Sequence, residues 1–241
     1  TAVIARADED EAVRTVERLE GNVRRDHERI GKPVFAVFLM GPQVKDQSLK
    51  VLKEFRDLQV LKLGAAQITN EGLKELQPLT GLQKLDLSET GITDAGLFEL
   101  KDLKELQSLK LFETRISDIG LKALKNFSKL QSLDLSATRI SDAGMKELKG
   151  LTNLKTLDLS STQLGDAGLK ELNQLENLRS LDINHTRITD RALIELLKFK
   201  ELRDVNLNHT QVTENGLEDL HRSRPKLFLT PYAKRNDIKP K

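Results

Sequence analysis

A block of 24 residues repeats along this chain. Residues 130–153, LQSLDLSATRISDAGMKELKGLTN, recur when the sequence is shifted by 24 positions in either direction. The unit has the form Leu130-x-x-Leu133-x-Leu135-x-x-Thr138-x-Ile140-x-Asp142-x-Gly144-Met145-x-x-Leu148-x-x-Leu151. A unit this short cannot bury its own apolar side, so neighbouring units must stack and share one continuous core. The pair Leu133/Leu135 has counterparts at Val37/Leu39, Leu61/Leu63, Leu85/Leu87, Leu109/Leu111, Leu157/Leu159, Leu181/Ile183 and Val205/Leu207, which makes eight repeats with no insertion.

Each unit divides into a strand and a helical arm. Alternate residues of a strand face opposite sides, so Leu133 and Leu135 point into the core while Ser132, Asp134 and Ser136 point out. Ile140, Met145, Leu148 and Leu151 close the core from the other side, and their spacing of three reads as helical. Ser141-Asp142 starts the arm with a hydroxyl cap and then a carboxylate in the first turn. Thr69, Thr93, Ser117 and Thr189 repeat that cap. Ser48, Gly72, Gly96, Gly120, Gly144, Gly168, Ala192 and Gly216 form a column of small residues. Glycine inside a helix costs about 1 kcal/mol relative to alanine, so the column implies close backbone packing. Thr90, Thr114, Thr138, Thr162, Thr186 and Thr210 stand where the strand bends into a turn. A hydroxyl there can satisfy a backbone group that would otherwise be buried without a partner.

Residues 1–33 are expected to cap the array, with a helix over 8–20 ended by Gly21 and an extended segment from Val23 to Glu28. Such a cap covers the first repeat's core and its open strand edge. The repeats fill 34–226, and 227–241 hold a last short strand and a basic tail with Lys234, Arg235, Lys239 and Lys241. The chain opens at Thr1 rather than Met, so its start is expected upstream. Ala5-Arg6-Ala7 has the small-x-small form of a signal-peptidase site, which leaves export and a cytoplasmic location both open.

The L-x-x-L-x-L pattern, followed by a turn and a helix, is similar to the leucine-rich repeat. Its continuation, as in Thr90-Gly91-Ile92-Thr93-Asp94-Ala95-Gly96-Leu97, resembles the ribonuclease-inhibitor-like and F-box-associated subclasses. It looks closest to the bacterial proteins abundant in planctomycetes. The resemblance covers residues 34–229. It departs at one position, where Thr replaces the usual Asn or Cys, with Pro42 and Ala66 there in the first two repeats. The resemblance implies an α/β solenoid: a horseshoe with parallel strands on the concave face and α-helices on the convex face. It also implies a non-enzymatic scaffold that recognises a protein or peptide partner. The alternative is a substrate-recognition fragment of a larger assembly, an effector or ubiquitin-ligase-type adaptor, although residues 1–33 are short and charged for an F-box.

The formal net charge of +2 over 241 residues argues against a nucleic-acid partner. Disulfides and thiolate metal sites are excluded because the chain has no Cys. No run of 18 apolar residues is present, so no membrane span is expected. The sequence lacks G-x-x-x-x-G-K-[ST], G-x-S-x-G and H-E-x-x-H, and no catalytic residue or cofactor is assigned. A monomer is expected.

Specificity on a repeat scaffold belongs to exposed positions that vary. The central outward column runs Phe38, Lys62, Asp86, Lys110, Asp134, Asp158, Asp182, Asn206. Asp134, Asp158 and Asp182 would stand about 4.8 Å apart on adjacent strands, where like charges repel and add nothing to folding. They point to a basic partner or, offset by Arg115, Arg139 and Arg187, to a charge-balanced solvated face. Replacing the three aspartates with Lys should then abolish binding without lowering the melting temperature. Phe112, beside Glu113 and Arg115, aligns with Ser88 and Ser136 and is a hot-spot candidate. Phe38 and Met40 are assigned to packing under the N-terminal cap. His185 and His209 occupy equivalent sites near Asp182 and Asn206, fit for partner contact or a transition metal, or simply variable surface. The expected contact set is Phe112, Glu113, Arg115, Asp134, Arg139, Asp158, Asp182, His185 and His209. Phe98 and Ile194 interrupt a helix column of lysines and mark a convex patch or drift.

Overall fold

A computed structural model describes residues 2–230. Helix α1 (Ala2–Arg18) leads to β1 (Asn22–Arg25), which pairs antiparallel with β2 (Val34–Phe38). Parallel strands follow in chain order: β3 (Val60–Lys62), β4 (Lys84–Asp86), β5 (Ser108–Lys110), β6 (Ser132–Asp134), β7 (Thr156–Asp158), β8 (Ser180–Asp182), β9 (Asp204–Asn206) and β10 (Phe228–Leu229). Together they make one open ten-stranded sheet. The register sets Leu61 opposite Leu85, then Leu109, Leu133, Leu157 and Leu181. Equivalent positions therefore form straight columns across the sheet, and the inward columns merge into one core in which these leucines are buried.

Backbone pairing continues past the strand ends. The Leu135 N–H donates to Asp158 O and the Ala137 N–H to Ser160 O, each at 2.9 Å. Beyond the turn, the Arg139 N–H donates back to Ile116 O at 2.9 Å. This reversal needs a left-handed residue. Gly41 takes φ 97°, and Ala65, Glu89, Glu113, Ala137, Ser161, His185 and His209 take φ between 53° and 58°. Left-handed backbone costs a non-glycine residue roughly 1–2 kcal/mol, and the inter-repeat bonds at each turn offset it.

The convex side departs from a row of α-helices. Short helices α2 (Asn70–Leu73), α3 (Asp94–Glu99), α4 (Asp166–Glu171) and α5 (Leu193–Leu196) alternate with 3₁₀ segments such as Asp46–Glu54, Gly120–Asn126 and Asp142–Leu148. Only the last, α6 (Glu214–Ser223), reaches ten residues. Met145, Leu148, Leu151 and Leu154 recur every three residues and close the core from this side, as Leu97, Leu100, Leu103 and Leu106 do in the arm that holds α3. All of these are buried.

The first carboxylate of each arm reaches into the next repeat. Asp118 accepts from the Ser141 N–H at 2.8 Å and its hydroxyl at 2.6 Å. Asp46 with Thr69, Asp94 with Ser117, Asp166 with Thr189 and Asp190 with Thr213 repeat the pair. Asn70 joins Thr93 at the same place, accepting from its N–H at 2.9 Å but donating its amide to the Thr93 hydroxyl at 2.8 Å. The glycine column exists because these side chains lie against it: a Cβ on Gly120 would meet Asp94 Oδ1 at 2.5 Å. The threonine column has a local role. The Thr114 hydroxyl donates to Leu111 O at 2.7 Å, and the other five make the same three-residue bond.

Both ends are closed. Helix α1 is longer at its start than the expected 8–20, and Ala5–Ala7 lie within it. Glu20 takes the left-handed turn at φ 59°, while Gly21 supplies room: a Cβ there would meet Phe38 O at 2.7 Å. Arg25 binds Glu9 and Asp10 of α1, each at 2.6 Å. At the other end, Arg224 donates to Leu196 O, Phe199 O, Lys200 O and Leu202 O. The basic tail lies outside the described residues.

Candidate functional site

The outward strand residues make the concave floor. Asp134, Asp158 and Asp182 face one another in register on β6, β7 and β8. Each also braces its own strand end. Asp134 Oδ1 accepts from the Ser136 N–H at 3.0 Å, Asp158 Oδ1 from Ser160 at 2.9 Å, and Asp182 Oδ1 from Asn184 at 3.0 Å. Asn206 holds the Asn208 N–H identically, at 3.1 Å. Lys supplies no acceptor for this turn bond, and the column holds Lys at Lys62 and Lys110, whereas Asn keeps the acceptor. Burial, followed by the charges of Asp182 and Asp134, holds the Asp158 carboxyl above the ordinary aspartate range, against the pull of the Ser160 hydrogen bonds.

Arg115, Arg139 and Arg187 are exposed, and among the described residues no ion pair joins them to a carboxylate. The left-handed residue turns the chain off the sheet before it reaches them. Their backbones pair with the preceding repeat instead, Arg115 beside Thr93 and Arg139 beside Ser117. The expected offset of the acidic column is thus not made.

Phe112 is half-buried at the end of β5, with Glu113 exposed beside it in the left-handed turn. Phe38 lies between two cations, with the Arg24 guanidinium 5.4 Å and Lys62 Nζ 5.5 Å from its ring centroid. Met40 is 51% exposed, so its expected packing under the cap does not occur. Strand β1 reaches only to the level of Phe38, which Asn22 opposes. His185 and His209 stack with ring centroids 4.1 Å apart and planes at 16°. Among the described residues, no group of three or more His, Asp or Glu side chains could hold a metal ion. Phe98 and Ile194 are exposed.

Two features of this face escape a single-column reading. Asp204 on β9 is exposed and in register with Ser180, extending the acidic region into the neighbouring column. On β3 to β5, Lys62, Lys84 and Lys110 surround a cavity of about 120 Å³ whose lining includes Asp86 and Ser108. The floor is thus basic towards β3 and acidic towards β9.

The parallel ladder, the buried leucine columns and the short convex arms define a repeat solenoid. A model of the leucine-rich repeat region matches residues 37–230, and the chain belongs to that family. Among solved structures it is similar to an internalin C2 of Listeria monocytogenes, with 26% identity over 83% of this chain and 80% of that one, at a TM-score of 0.64. It is also similar in fold to a leucine-rich repeat protein of Leptospira interrogans, with 23% identity over 76% of this chain and 51% of that one, at a TM-score of 0.59. No curated protein matches the sequence.

Proposed function

We propose that this protein is a non-enzymatic scaffold that binds a protein or peptide on its concave face as a single chain. Phe112, Asp134, Asp158 and Asp182 supply the floor of the contact, and Glu113, His185, His209, Arg115 and Arg139 its rim. The observation that carries the reading is the unpaired acidic column. Three in-register carboxylates repel one another and have no ion-pair partner among the described residues. A cationic group from outside relieves that repulsion. The strict 24-residue spacing and the Ile-Thr-Asp-x-Gly-Leu continuation, as at Ile92–Leu97, favour the ribonuclease-inhibitor-like bacterial subclass within the family.

The test replaces Asp134, Asp158 and Asp182 together with Asn, which keeps the turn acceptor as Asn206 does. Wild type and variant are used to capture proteins from the source organism. A captured protein should be lost from the variant while the melting temperature stays the same or rises. Identical captures would refute the concave-face reading. The second reading, a recognition part of a larger assembly, draws on the Leptospira protein, of which this chain covers 51%.

A further inference from the structure

The polarity of the concave floor points to a particular ligand pattern, and this inference rests on the concave-face reading above. The lysine-walled cavity is centred on β4: Lys62 on β3 and Lys110 on β5 flank Asp86 in one column, and Lys84 stands two residues earlier on β4, in register with Ser108. All three lysines are exposed, and no carboxylate pairs with them among the described residues. The acidic column is centred on Asp158 of β7, and Asp134 Oδ2 accepts no hydrogen bond from the described residues. Three strand steps separate the centres, about 14 Å at about 4.8 Å per step. An extended chain advances about 3.4 Å per residue, so it covers that span in roughly four residues. Residues four apart in an extended chain also face the same side.

We infer that the ligand is an extended peptide segment crossing the strands, with one acidic and one basic side chain four residues apart. The acidic side chain enters the lysine cavity and the basic one sits over Asp158. The flanks make this a match for single charges. Lys155, Arg179 and Arg203 stand exposed one residue ahead of β7, β8 and β9 and repel a run of basic residues. Asp86, between Lys62 and Lys110 in the register, disfavours a run of acidic ones.

The probes are fluorescein-labelled nine-residue peptides on a Thr/Ser/Val frame, read by fluorescence anisotropy at low ionic strength. One carries Glu at its third position and Lys at its seventh; its control has the same composition with the Lys at the fifth. A third probe carries Lys at both charged positions. The spacing-four peptide should bind at least about fivefold more tightly than either control. That preference should vanish in Asp158→Asn, which keeps the acceptor for the Ser160 turn bond, and in the double variant Lys84→Gln/Lys110→Gln, which changes two exposed side chains. Equal affinities, or a preference that survives both variants, would overturn the inference. If the preference is absent while the triple Asn variant still loses its captured protein, the spaced pair is wrong and the concave-face reading stands. If capture is unchanged, the concave-face reading itself fails.

Discussion

Gly165 breaks the ladder that ties each repeat to the next. At every other N-cap of this series a hydroxyl engages the acid or amide of the preceding repeat, whereas Gly165 offers Asp142 only its N–H, at 2.6 Å. Its backbone is extended at φ −127°, open to any residue, and a Cβ would lie 3.2 Å from Asp142 Oδ2. That position suits a hydroxyl aimed at the free oxygen. Gly165→Ser should therefore stabilise the protein by about 1 kcal/mol, seen as a raised melting temperature; a fall would mean that the ladder is not what holds adjacent arms together. Other residue-level features were hidden in the sequence. The left-handed column contains Ala65, Glu89, Ala137 and Ser161, none of which announces positive φ as Gly41 does. That conformation is imposed by the bonds to the next repeat and not by the residue itself. The aspartates of the floor looked purely electrostatic because the turn bond to the residue two positions on is a backbone contact.

At the scale of elements, the strands could be placed from pattern, while the convex arms could not be divided into α and 3₁₀. Apolar residues at intervals of three occur alike in the arm that folds as α3 (Leu97, Leu100, Leu103) and in the 3₁₀ arm of Met145, Leu148 and Leu151, so the pattern does not tell the two helix types apart. At the C-terminal end the last short strand was legible, as β10 shows, but the role of Arg224 was not. Arg224 follows the last helix where the repeat register fails, so no column assigned it a role. Its guanidinium meets four carbonyls of the preceding repeat's loop, including Phe199 O at 2.7 Å and Leu202 O at 2.8 Å. Arg224→Ala leaves those acceptors without their donor and should cost about 2 kcal/mol. Arg224→Lys should recover little, because a single ammonium cannot reproduce the planar fork. Thermal melts, with limited proteolysis to locate the first cut, check this. Unchanged stability in the Ala variant would show that α6 and β10 hold the end unaided.

Across the whole molecule, one rule made the fold readable: a 24-residue period with no insertion lets every register pair equivalent positions. The same regularity concealed the site. Following the central column alone found Asp134, Asp158 and Asp182 but missed Asp204, Lys84 and the change of sign along the floor, which appear only when adjacent columns are laid side by side. The central claim is that the repeating positions build the scaffold and the varying concave positions carry recognition. Carboxylate footprinting tests it most directly: carbodiimide-coupled labelling of the protein with and without its captured partner, read residue by residue by mass spectrometry. Asp134, Asp158 and Asp182 should lose labelling in the complex, while Glu71, Glu147 and Glu218 on the convex arms keep theirs. Protection of the convex residues with the three aspartates still labelled would contradict it.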